Sequence, residues 1–246
     1  MKWPDGPLVI GTFIERLHRF GATVEVKGKK EYCHVTNSGR LRELLFPGAK
    51  VALVDHLAKF KIQNSKSKIR RKTRYAVRLA HNKKKWVCIE ANIAPKLLKE
   101  AWSLGKARSL KGYDKLQAEV PLNAHTRFDF QARNTKTGEK AWIEVKCVTL
   151  VGEKGLGQFP DAPSERASKH LRELMVLSRK PKTKCFVFFI LQNPLGKGVT
   201  PKDDTDPVFG KTLRRTAKTK VTLLAYSTQV NLKGSKLRKV IPVFRK

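Results

Sequence analysis

The chain has 246 residues, 53 of them Lys or Arg and 20 Asp or Glu, for a formal net charge of +33. So large an excess repels itself in a compact state unless a polyanion neutralises it, which puts nucleic acid first among partners and an anionic membrane surface second. A hydrophobic content of 40% excludes a disordered basic tail, no apolar run reaches the roughly 18 residues of a membrane span, and the N-terminus carries no signal-peptide apolar stretch.

Residues 7–20 and 22–35 alternate apolar and polar side chains as strands do, with Lys27-Gly28-Lys29-Lys30 supplying a turn. Arg40 to Leu45 reads as one or two helical turns, ended by Pro47-Gly48. Strands are expected over 49–55, 73–80 and 85–90, with a basic loop at 59–72. Strands, a short helix and further strands suit a small closed barrel such as an OB-fold, which holds nucleic acid in a positively charged groove. Phe20, Tyr32 and Phe60 are candidate base-stacking rings, although the burial habits of aromatic residues favour the core for each.

The second half reads as α-β-β-β-α-β. Pro95 sits well in the first turn of a helix running to about Gly105. Strands follow over 116–122, 126–133 and 139–149, the last two joined by the turn 134–138. Pro163-Ser164-Glu165 opens an amphipathic helix to about Arg179, and the apolar run 185–191 reads as a buried strand. A helix near 207–218 and a strand at 221–227 complete the expected domain. The resulting division is 1–90 as an OB-like nucleic-acid-binding domain, 91–230 as a second α/β domain, and 231–246 as a basic C-terminal extension. The four cysteines, Cys33, Cys88, Cys147 and Cys185, lie far apart. They predict neither a zinc site nor a disulfide, and they fit a reducing cytoplasm.

The charge is uneven. From Asp114 to Glu173 there are nine acidic and ten basic residues. From His56 to Ile89 there are twelve Lys or Arg and no acid, and from Pro207 to Lys246 eleven and none. A nearly neutral centre is therefore flanked by strongly basic arms.

That centre holds Asp129 on one predicted strand and Glu144-Val145-Lys146 on the next. A spacing of two puts Glu144 and Lys146 on one face of a sheet, and a hairpin can bring Asp129 beside it. Paired carboxylates attract a hard divalent cation such as Mg²⁺ or Mn²⁺, which can polarise a phosphodiester and acidify a bound water. A neighbouring lysine can orient that water or stabilise the developing negative charge. This is the D…E-x-K arrangement of the PD-(D/E)XK nucleases. Glu119 is a candidate third ligand, and Gln192 resembles a glutamine that some of those nucleases keep near the site.

Several segments together resemble the sugar fermentation stimulation protein (SfsA) family over essentially the whole chain. They are Arg16-Leu17-His18-Arg19-Phe20, Thr36-Asn37-Ser38-Gly39-Arg40-Leu41, Gly112-Tyr113-Asp114, Arg127-Phe128-Asp129-Phe130, Ile143 through Leu150, Asp206-Pro207-Val208-Phe209, and above all Phe159 through Arg166 leading to Lys169-His170. The resemblance implies an N-terminal OB-like barrel followed by a PD-(D/E)XK nuclease-like domain. It also implies DNA binding with little sequence preference and a link to sugar (maltose) metabolism genes. Thr36 stands where the family often has proline, and Phe128 precedes Asp129 where the nuclease pattern has proline.

Asp129, Glu144 and Lys146 are thus the expected catalytic residues, with Glu119, Asp129 and Glu144 as metal ligands. Arg16, Arg19, Arg40, Lys66, Lys68, Arg70, Arg71 and Arg74 are expected to contact nucleic acid, DNA first. Arg166, Lys169 and His170 are expected to reach the scissile phosphate. A Mg²⁺-dependent nuclease, a non-catalytic DNA-binding regulator on the same scaffold, and an RNA-associated structural protein are the three functional readings.

Overall fold

The computed structural model describes residues 1–3, 6–57 and 73–245. The predicted contacts Lys66, Lys68, Arg70 and Arg71, and the ring of Phe60, lie outside the described residues.

The N-terminal strands are β1 (Val9–His18), β2 (Gly21–Val26), β3 (Lys29–Val35), β4 (Lys50–Asp55), β5 (Tyr75–Asn82) and β6 (Lys85–Cys88). They hydrogen-bond in the order β3-β2-β1-β4-β5-β6, and a parallel β3–β5 pairing closes the first five into a barrel. The expected helical turns over 40–45 reduce to a single turn closed by Leu44 and Leu45 amides on the Leu41 carbonyl. It plugs the barrel with the buried side chains of Leu41, Leu44 and Leu45.

The C-terminal half contains α1 (Ile93–Ser103), β7 (Lys115–Asn123), β8 (Thr126–Arg133), β9 (Lys140–Val148), β10 (Leu156–Phe159), α2 (Glu165–Leu177), β11 (Thr183–Leu191), β12 (Gly198–Pro201), α3 (Pro207–Thr216), β13 (Val221–Asn231) and β14 (Gly234–Ile241). Its sheet runs β14-β13-β11-β9-β8-β7, parallel at β9-β11-β13 and antiparallel at both flanks. The expected extension at 231–246 is corrected here: Gly234–Ile241 is the edge strand of this sheet, returning on β13 through the turn at Lys233.

Helix starts follow from capping. The Ser164 hydroxyl accepts the Ala167 N–H at the head of α2, and Asp206 Oδ1 accepts the Phe209 N–H at the head of α3. Each satisfies an amide that has no partner inside the helix. Asp206 Oδ2 also accepts the Ser164 N–H, so one carboxylate locks both helix heads together.

Two apolar layers sandwich the sheet. One face of β9 and β11 (Ile143, Val145, Phe186, Phe188, Ile190) packs with α1 and with Ala52, Leu79 and Cys88 of the barrel in a single core. The opposite face (Val187, Phe189, Leu191) packs with α2 and α3. Because the first core is shared, β4 is buried on both faces and reads as the continuous apolar run Val51-Ala52-Leu53-Val54. The barrel and the sheet are thereby held together by non-directional burial of apolar area, which fixes the gap between them.

Candidate active site

Strand β8 reaches the site by changing faces. Its ladder with β9 runs from Arg133↔Lys140 to Phe130↔Ile143 and ends there. Phe130 packs in the shared core and Phe128 in the opposite one, whereas a regular strand puts residues two apart on the same face. Asp129 occupies the crossing, and its Oδ2 accepts the Val145 N–H at 2.6 Å. Alongside, Glu119 of β7 has φ of +53°, a left-handed conformation that costs an L-residue about 1–2 kcal/mol.

Strand β9 stays regular, so Glu144 and Lys146 share a face. Glu144 Oε1 accepts Lys146 Nζ at 2.5 Å and lies 2.8 Å from His170 Nδ1. His170 Nε2 is in turn 3.4 Å from the Arg166 Nε donor. The Nε2 contact, in which the ring accepts, suits the imidazole tautomer that carries its proton on Nδ1. The ring also packs 5.3 Å, centroid to centroid, from Phe128. Glu144 Oε2 is buried and has no hydrogen-bond partner among the described residues.

The two carboxylates are pushed in opposite directions. Burial raises the Asp129 carboxyl to about 7, and the neighbouring Glu144 charge adds to the rise. Burial acts on Glu144 in the same sense, but Lys146 and His170 outweigh it and hold its carboxyl below the usual value. One group is therefore an ion at neutral pH, and the other is poised between its charged and neutral forms.

Asp129 and Lys146 lie at a cleft of about 390 Å³ between barrel and sheet. Asn37, Ser38 and Gly39 wall it on the barrel side, and the 159–164 segment on the other. Asp161 ties the walls together: its Oδ2 accepts the Leu41 N–H at 3.0 Å, and the Arg40 amide also bonds to it. A Cβ on Gly39 would lie 2.5 Å from Asp161 Oδ2, so this close approach requires glycine. Asp161→Ala is expected to lower unfolding free energy by about 1–3 kcal/mol by orphaning amide donors, with Asp161→Asn losing less. Urea denaturation of both variants checks this, and equal losses would overturn it.

The remaining expected residues divide. Arg19 is exposed and lines the cleft, and Arg40 is exposed beside Asp161. Arg16 is half-buried, and its guanidinium donates to the carbonyls of His18, Arg19 and Asn37, which pins the barrel loops. Arg74 forms a bidentate pair with Asp55 and lies over the Tyr75 ring. Lys169 Nζ is 3.4 Å from the His125 carbonyl. His170 is corrected, because at 2% exposure it offers nothing to a phosphate. It shares the inward face of α2 with Ala167, Leu171 and Leu174, and it supports Glu144 from behind.

Glu119 lines the cleft but is 69% exposed, its Oε2 3.9 Å from Arg127. Among the described residues no three His, Cys, Asp or Glu side chains gather closely enough to cage a cation, so the expected three-carboxylate set is not assembled. Gln192 is fully buried, and neither its Oε1 nor its Nε2 has a hydrogen-bond partner among the described residues; burial pushes the Cys147 thiol up to about 12. The sequence signal for Asp161 is its place in the ordered segment 159–166.

The site still fits a divalent cation. Mg²⁺ keeps several waters and is usually held through one or two carboxylates, not a full protein cage. Asp129 and Glu144 supply that pair, and the orphaned Glu144 Oε2 is an acceptor that a cation would satisfy.

A closed OB barrel joined to a restriction-endonuclease-like sheet defines the class of this protein. The family model described as the SfsA N-terminal OB domain matches residues 14–89, and the sugar fermentation stimulation protein RE domain matches 92–234. The chain belongs to the sugar fermentation stimulation protein (SfsA) family. It is 38% identical over 245 residues to a homolog from Acetivibrio thermocellus, covering 98% of this chain and 99% of that one. It is 37% identical over 225 residues to one from Thermoanaerobacter sp. (strain X514), covering 91% of each. Its fold matches Pyrococcus furiosus SfsA, solved in complex with Ca²⁺, with a TM-score of 0.84 at 24% identity, over 99% of this chain and 98% of that one. Among the described residues no helix is long and apolar enough to cross a membrane.

Proposed function

We propose that this protein binds nucleic acid, DNA first, with little sequence preference and hydrolyses its phosphodiesters with Mg²⁺ or Mn²⁺. The observation that carries the reading is the pairing of Asp129 and Lys146 at a cleft, with the buried Glu144 bonded to Lys146 behind them, in a chain of net charge +33. The basic field draws phosphates towards the protein, and Asp129 lines the cleft open to them. The four free cysteines fit a cytoplasmic setting.

A bound divalent cation would supply Lewis acidity and an acidified water. Asp129 and Glu144 would hold it. Lys146 is kept at the cleft by Glu144 Oε1, where its ammonium donates to the attacking water or to the phosphoryl oxygen gaining charge. His170 and Arg166 keep Glu144 oriented from behind.

Cleavage of single- and double-stranded DNA and RNA with Mg²⁺ or Mn²⁺ tests the proposal, comparing the native chain with Asp129→Ala and Lys146→Ala. Each substitution is expected to reduce cleavage by at least a hundredfold, on the order of one lost transition-state contact. Equal residual cleavage in all three proteins would overturn the nuclease reading.

A further inference from the structure

Four rings gather on the outside of the barrel. Phe20 and Tyr32 are 43% and 47% exposed, contrary to the core placement their type predicts. His18 Nε2 bonds to the Tyr32 hydroxyl at 2.9 Å, and Phe20 stacks with His34 at 6.2 Å between centroids. Gly21 lies between them, where a Cβ would meet His18 Nε2 at 2.4 Å and the Tyr32 hydroxyl at 2.7 Å. His18 and Tyr32 therefore close directly over the bare backbone of Gly21. Arg16 fixes the loop beneath through the His18 and Arg19 carbonyls.

The cluster is continuous with the cleft. The Arg19 guanidinium lies 5.3 Å from the Phe20 centroid, and Arg19 also lines the cleft that contains Asp129 and Lys146. The cleft volume of about 390 Å³ is near the lower end of the roughly 300–1,000 Å³ that encloses one small molecule. It has room for about one nucleotide.

We infer that Phe20, Tyr32 and their histidine partners form a base-stacking subsite for single-stranded nucleic acid, from which a strand runs past Arg19 to the cleft. This rests on the nucleic-acid reading above and adds strandedness to it. Exposed rings can stack only on bases whose faces are free. A duplex has those faces occupied, whereas a single strand splays its bases. The basic field alone draws both forms and does not discriminate between them.

Fluorescence anisotropy without divalent metal tests the subsite, using labelled oligo(dT) of twelve nucleotides and a blunt twelve-base-pair duplex. The Phe20→Ala/Tyr32→Ala double variant is expected to bind the single strand roughly ten- to a hundredfold more weakly, as alanine replacement of stacking rings does. Its duplex affinity is expected to stay within about twofold, because phosphate contacts are untouched. Phe20→Trp and Tyr32→Phe keep the ring faces and are expected to retain single-strand binding, which separates lost stacking from lost folding. An unchanged single-strand affinity in the double variant, or an equal loss for both ligands, would overturn the subsite. A native chain that binds neither oligonucleotide would overturn the nucleic-acid reading itself. Absence of cleavage leaves this binding readout intact, so the nuclease reading can fail separately.

Discussion

Asp129→Asn is expected to make the metal-free protein more stable above pH 7 and to remove its thermal response to Mg²⁺. In the folded chain burial and Glu144 raise the Asp129 carboxyl from 3.8 to about 7. Between these two values the folded state holds a proton that the unfolded state releases, so stability from this group falls as pH rises and is lost above about 7. Asparagine removes the buried charge and keeps an oxygen for the Val145 N–H. The gain at pH 8 is expected to be on the order of 2 kcal/mol, and at pH 5 only roughly a third of that, because the loss starts above 3.8 and is complete above about 7. In the native protein Mg²⁺ binding must displace that proton, so affinity is expected to rise up to about tenfold per pH unit below 7. Melting curves at pH 5 and pH 8, with a chelator and with Mg²⁺, read all of this. A variant that is equally affected at both pH values, or still responds to Mg²⁺, would contradict the assignment.

Much of the scaffold was legible because its elements keep their periods. The alternation in β8, the stripe on α2 and the apolar run 185–191 give strand, helix and buried strand directly. Strand β14 was not legible: Lys236, Arg238 and Lys239 on an edge read as solvated tail, and only pairing with β13 makes them a strand. The short parallel pair β10–β12 depends on contacts forty residues apart and leaves little local pattern. At the site, the i, i+2 spacing revealed Glu144 and Lys146, but not the crossing of β8 that brings Asp129 across. That reversal follows from the Phe128 and Phe130 side chains choosing opposite cores. Nor did the sequence separate the two kinds of arginine near the barrel loops. Arg16 spends its donors on backbone carbonyls and Arg19 stays exposed, a difference set by loop geometry and not by residue type.

Lys146→Met is expected to cost about 3 kcal/mol of unfolding free energy at pH 8, because it strands the Glu144 charge in a buried site. The ammonium lies 2.5 Å from Glu144 Oε1, and the two side chains are 10% and 6% exposed. In the native chain the Glu144 carboxyl is held low despite its burial. Its stabilising contribution is therefore present above the usual glutamate range and is lost as pH falls through the folded value. Without the lysine, burial outweighs the remaining His170 contact and favours the protonated acid. The penalty of Lys146→Met is then expected to shrink as pH falls from 8 to 5, the reverse of the native trend. Lys146→Met/Glu144→Gln removes the stranded charge and is expected to recover much of the loss at pH 8, because neutralising both partners of a buried pair costs less than breaking it. Mg²⁺ should also restore part of the stability of the single variant, since a cation beside Glu144 replaces the missing positive charge. Urea unfolding at both pH values, with and without Mg²⁺, measures each effect. A loss that does not depend on pH and is not relieved in the double variant would mean that Lys146 acts through its packing and not through its charge on Glu144.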